Sequence, residues 1–170
     1  VGMGIQATGI ADRALQQAAA YADQRTQGRV LDRVAGTPIA EHPDVRRLLL
    51  SMSSKVFAMR ALGVYVSDLF DLAEEGTAEA KRAEFFVPIL KGWATEDALQ
   101  VTSEAIQVYG GMGFIEETGA AQHYRDVRIT TIYEGTTAIQ SNDLVGRKVI
   151  RDGGATAGVL LERIEATVEQ

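Results

Sequence analysis

The chain has 170 residues, 46% of them hydrophobic and 24% charged, the size and composition of one globular domain with a real core. Its 17 basic and 23 acidic residues leave a net charge of -6 and form no Lys/Arg-rich block, which argues against nucleic acid as the main partner. There is no cysteine, which excludes disulfides and thiolate chemistry and fits a reducing compartment, and no apolar run approaches the roughly 20 residues of a membrane span.

In chain order, Ile5 to Gln24 reads as a helix whose stripe of Ala7, Ala11, Ala14, Ala18 and Ala22 admits a close neighbour, with Ile10, Leu15 and Tyr21 flanking it. The basic segment from Arg25 to Arg29 follows, and Val30 to Glu41 reads as a loop turning at Gly36-Thr-Pro38. His42-Pro43-Asp44 opens a second helix, because proline suits its first position and an acid its first turn. Val45, Leu48, Leu49, Met52, Val56, Met59, Gly63, Val66, Phe70 and Ala73 give that helix a near-heptad core stripe, stopping at Gly76. A third helix is expected from Ala78 to Tyr109, apolar nearly all round at Phe85, Phe86, Ile89, Leu90 and Trp93. Pro88 should kink or divide it. Glu96 and Asp97 interrupt the apolar pattern as bundle or surface polar positions rather than as a metal pair, since no histidine is near.

Gly110 and Gly111 end that helix, and Gly113 keeps the turn open. Phe114 to Thr118 is a connector, and Ala120 to Arg128 a short helix carrying His123, Tyr124, Arg125 and Asp126. Ile129 to Tyr133 is an apolar run, β-branched enough to mimic a strand. A last bundle helix should run from Thr136 to Ile150, broken by Gly153-Gly154. A further helix follows from Ala155 to Glu169, with Val159, Leu160, Ile164 and Val168 on one face. Four main helices with short connections predict an all-α, antiparallel four-helix bundle with additional short helices.

The chemistry gathers in three motifs: Gln107-Val-Tyr-Gly-Gly-Met-Gly, Tyr124-Arg-Asp and Ile132-Tyr-Glu-Gly-Thr. Glu134 stands between an aromatic residue and a glycine at an element boundary. A carboxylate there can be partly desolvated and still approach a substrate closely, and desolvation makes a carboxylate a stronger base. In this order and spacing the motifs resemble the carboxy-terminal helical domain of the acyl-CoA dehydrogenases, from about Val1 to Val149. Residues 151–170 are similar to the start of the extra carboxy-terminal segment of the longer members.

The resemblance implies FAD-dependent α,β-dehydrogenation of an acyl-CoA thioester, with Glu134 as the base at the α-carbon and Gly135 letting the thioester lie close to the backbone. It implies that Thr136, Thr137 and Ala138 contact the subunit's own flavin. Ala138 stands where the family commonly has glutamine. Gln107, Val108, Tyr109, Gly110 and Gly111 would contact the adenosine-diphosphate part of a neighbour's flavin. Arg25 would reach that flavin too, although the family's extra residue and phenylalanine before the glycine are replaced here by Gln27-Gly28. A solvated basic helix terminus is the other reading of Arg25. His42 is similar to a flavin-facing histidine or is a capping-region residue. Arg125 and Asp126 read as an ion pair locking the short helix or as ligand contacts.

A shared site implies a homo-oligomer, a dimer or tetramer. Electron-transfer flavoprotein is the implied acceptor, and the implied location is the cytoplasm or the mitochondrial matrix. The family's amino-terminal helical and central β domains are expected to precede Val1, and this domain alone should not catalyse. An oxidase-like flavoprotein and a non-catalytic helical oligomerisation module are the competing readings.

Overall fold

A computed structural model describes residues 1–30, 33–34 and 36–169. Leu31, Asp32 and Ala35 of the expected loop, and Gln170, lie outside them. Helix α1 spans Gly2–Gln24, α2 Pro43–Leu72, α3 Ala78–Tyr109, α4 Ala120–Arg128, α5 Thr137–Asn142 and α6 Ala155–Val168. Short 3-10 turns link several of them, and among the described residues an antiparallel bridge between Thr26 and Pro38 stands in for any sheet.

Consecutive main helices run antiparallel. Ile5 of α1 lies against Gly63 of α2, Lys55 of α2 pairs with Glu104 of α3 at 3.0 Å, and Thr137 of α5 reaches Glu96 of α3. Gly4 meets Leu90 while Tyr21 stacks on Tyr109, so α1 and α3 run parallel. The five alanines of α1 are all buried, and a Cβ on Gly4 would stand 2.7 Å from Leu90 Cγ. Small side chains thus bring the α1 backbone close to α3. Helix α1 begins three residues earlier than its periodicity suggests.

On α2 the expected stripe faces the core with one change: Leu69 is buried and Phe70 is exposed. The helix ends at Leu72 rather than at Gly76. By length and mean hydropathy alone, 1.2 over an 18-residue window, it is long and apolar enough to cross a bilayer, a test that the core helix of a bundle also passes. Its Met52, Val56, Met59 and Val66 form the bundle core.

Helix α3 has the bounds expected of it. Thr77 caps its start, accepting from the Ala80 N–H at 3.3 Å. Pro88 does not divide it. The proline is buried within one helix whose faces touch α1, α2, α4 and α5, and that packing holds the helix through the missing donor. Trp93, read as part of an all-round apolar surface, is 36% exposed. The strand-like run from Ile129 to Tyr133 opens as a 3-10 turn over Ile129–Thr131, where Thr130 and Thr131 turn their hydroxyls back onto the carbonyls of Val127 and Arg128. The last bundle helix is α-helical to Asn142 and π-helical over Asp143–Ile150, tied to α3 by Lys148 and Glu84 at 2.9 Å. On α6, Val159, Ile164 and Val168 are exposed.

Candidate functional site

The bend between the turn at Ile129–Thr131 and α5 is fixed from four sides. Tyr133 Oη donates to Gln6 Oε1 of α1 at 2.6 Å. Gln140 Nε2 of α5 donates to the Glu134 carbonyl at 3.3 Å. Lys91 Nζ of α3 donates to the Gly135 carbonyl. Thr136 caps α5 by accepting from the Ile139 N–H at 3.4 Å, and Thr137 Oγ1 donates to Glu96 Oε1 at 2.5 Å.

Glu134 has φ 55, the only positive value for a non-glycine among the described residues, and Gly135 follows at φ 92. A left-handed glutamate costs about 1–2 kcal/mol, a strain that persists only where the surroundings over-determine it. Gly135 has a second constraint. A Cβ there would stand 2.6 Å from Gln140 Nε2.

Lys91 is 4% exposed on the inner side of α3. Burial pushes its ammonium below the ordinary lysine value, against the pull of Glu96 and Glu134. Glu134 itself is exposed. The drying expected around it is not supplied by the described residues.

The other expected site residues gather at the far end of α3. Tyr109 stacks on Tyr21 with ring centroids 4.1 Å apart, and its hydroxyl donates to the Gln17 carbonyl at 3.3 Å. Burial and the Tyr21 ring hold that phenol above its ordinary value, with Arg13 opposing. Val108 is buried, so its side chain belongs to the core and offers no free contact to a flavin. Gln107, Gly110 and Gly111 are exposed. Gly110 has φ 60, and neither glycine has an atom within 4 Å of the place a Cβ would take.

The same end carries Arg25, exposed as the residue closing α1, with Nη2 donating to Gln27 Oε1 at 3.2 Å. His42 Nε2 lies 2.9 Å from the Gln27 carbonyl, and Gly28 packs on its ring. Arg125 does not pair with Asp126. It binds Glu116 at 2.6 Å and ties α4 to the connector, while Asp126 accepts from Gln122. Lys91 and Tyr109 are 18 residues apart on α3. At about 1.5 Å per residue the two groups are therefore about 27 Å apart. Glu134, Gly135, Thr136 and Thr137 come together, with exposed Ala138 beside them; Arg25 and Gln107 to Gly111 form a separate group.

Sequence reasoning passed over Lys91, although a lone cation in the apolar run from Phe85 to Trp93 was a usable signal. It named His123 only as part of the short helix; its Nε2 lies 2.7 Å from Gln17 Oε1. Burial and Arg13 hold this imidazole below its ordinary value, with Asp126 opposing. The folded chain favours the neutral ring, so the unfolded chain binds the proton more readily. The stability this contributes is complete above the ordinary histidine value of about 6.5 and is lost as the pH falls below it. A melting temperature that falls as the pH drops below about 6.5 is expected, with a shallower fall in His123→Gln.

The family model described as acyl-CoA dehydrogenase, C-terminal domain, matches residues 1–149. The 3-methylmercaptopropionyl-CoA dehydrogenase of Ruegeria pomeroyi is 54% identical over 97% of this chain and 29% of its own length. The broad-specificity linear acyl-CoA dehydrogenase FadE5 of Mycobacterium tuberculosis is 34% identical over 88% of this chain and 26% of its own. The solved butyryl-CoA dehydrogenase of Megasphaera elsdenii superposes with a TM-score of 0.72 at 34% identity, covering 85% of this chain and 34% of that one. The chain thus spans roughly a third or less of the relatives it matches.

Proposed function

Since the chain belongs to the acyl-CoA dehydrogenase family, matched over residues 1–149 by the model of its carboxy-terminal domain, we propose that it supplies the helical base-bearing domain of an FAD-dependent enzyme that dehydrogenates acyl-CoA thioesters at the α,β-carbons. The observation that carries this reading is the left-handed Glu134, the strained non-glycine residue in a bend held from three helices. Its carboxylate takes the α-proton of the thioester. Gly135 would let the thioester lie close to the protein backbone. The exposure of Glu134 on this chain leaves the drying of the site to the other domains of the enzyme.

The residues present fit a flavin dinucleotide divided between subunits. The exposed Gly110–Gly111 backbone is open where any side chain would intrude, and the first-turn N–H groups of Thr137 and Ala138 have no intrahelical acceptor. FAD, when bound, supplies the acceptor for the hydride leaving the β-carbon. Glu96 holds the Thr137 hydroxyl, and Ala138 offers no polar side-chain atom, so the contact there would be made by backbone. The separation of about 27 Å along α3 supports a second flavin, belonging to another copy, at the Arg25 and Gln107–Gly111 end, and so a homo-oligomer. Electron-transfer flavoprotein is the expected acceptor.

Anaerobic mixing of the full-length enzyme with a panel of acyl-CoAs tests the reading. Bleaching of bound flavin by at least one of them is expected. Retention of oxidised flavin with every acyl-CoA that binds would overturn it.

A further inference from the structure

Lys91 has a place in this site that its neighbours in sequence do not explain. It stands on α3 among Leu90, Gly92, Ala94 and Thr95, all buried, and is itself 4% exposed. A buried ammonium is costly unless it has partners. The partner found is neither Glu96 nor Glu134 but the backbone carbonyl of Gly135, in the residue directly after Glu134. The carbonyl of Glu134 is held too, by Gln140 Nε2 at 3.3 Å. Two consecutive carbonyls in two consecutive left-handed residues are therefore each gripped by a side chain from a different helix.

We propose that Lys91 is a positioning residue for the base: by gripping the Gly135 carbonyl, with Gln140 on the preceding one, it keeps Glu134 in the left-handed conformation that sets the direction of its carboxylate. The proposal rests on the reading of Glu134 as the base, and adds to it a residue that touches neither substrate nor cofactor. The geometry explains why a lysine and not an apolar residue fills this position. The Gly135 carbonyl accepts from Lys91 Nζ in a part-buried contact, and an apolar side chain at position 91 could not donate to it. Lys91 also leaves a positive group beside Glu134 and Glu96, whose pull on it is felt despite its burial.

The test uses the full-length enzyme with three variants: Lys91→Met, Gln140→Met and Glu134→Gln. Lys91→Met keeps an unbranched chain one atom shorter and removes the donor. A misaimed base should cut kcat by about 10- to 100-fold while leaving KM, acyl-CoA affinity and flavin content within about threefold of the parent. A crystal structure of the same variant reads the cause directly, with Glu134 expected to leave φ 55. Should Lys91→Met fail to fold, Gln140→Met, which removes the other grip at a partly exposed site, carries the test. It should show the same split of kcat from KM, at about threefold or more. Loss of turnover in Glu134→Gln, together with unchanged kcat and an unmoved Glu134 in Lys91→Met, overturns the positioning role and leaves the base assignment standing. Full turnover in Glu134→Gln overturns both.

Discussion

Glu134→Gln in the full-length enzyme is expected to lower turnover by about 10²- to 10⁴-fold, the usual weight of a positioned general base. Flavin content and acyl-CoA binding should be unchanged. Gln has the same shape and sits as well as Glu at φ 55. The grips on the bend use the backbone carbonyls of Glu134 and Gly135, and neither depends on the carboxylate. Folding stability should therefore stay within about 0.5 kcal/mol of the parent. What is lost is an acceptor for the α-proton. Single-turnover flavin bleaching and a thermal melt, done together, check both halves. Turnover retained in a well-folded, flavin-loaded variant would place the base elsewhere and leave the helical domain with a non-catalytic role.

Gly113→Ala is expected to destabilise the chain by about 1–3 kcal/mol, the usual cost of overpacking. Gly113 is buried. A Cβ there would stand 2.4 Å from the Ile106 carbonyl oxygen, 2.9 Å from Tyr109 Cβ and 3.0 Å from Ile106 Cα. Two of these are backbone atoms of α3, and none is the free end of a flexible side chain, so the turn itself must move. At this chain length the melting temperature should fall by several degrees, about 2–4 °C per kcal/mol. Gly111→Ala is the control. It has open space and no left-handed φ, and should cost within about 0.5 kcal/mol. If the proposed flavin contact of Gln107 to Gly111 is right, Gly113→Ala in the full-length enzyme should also lose flavin as the turn shifts, which absorbance after gel filtration measures.

Gly113 also marks where reading residues stops short. Its place in a glycine-rich turn suggests conformational freedom, yet the positive φ belongs to Gly110, and Gly113 is needed for lack of room. Conformation can be guessed from a dipeptide; proximity to a carbonyl seven residues back in a neighbouring turn cannot. Leu69 and Phe70 exchange roles, Leu69 being buried and Phe70 exposed, a choice that a near-heptad count does not make. The bounds of α3 and α4 were legible because caps, glycines and apolar spacing act over a few residues.

Periodicity therefore made the all-α bundle legible, and the resemblance carried by the three motifs pointed to the family and to the glutamate to test, because each is written in residues within a few positions of one another. The partners of that glutamate were not legible in this way. Lys91 meets Gly135 across 44 residues and Gln6 meets Tyr133 across 127. The exposure of Glu134 and the distance between the bend and the glycine turn likewise depend on where α1, α3 and α5 come to rest against each other. Such contacts are products of packing three helices at once, and no local spacing encodes which side chain will stand opposite a given carbonyl.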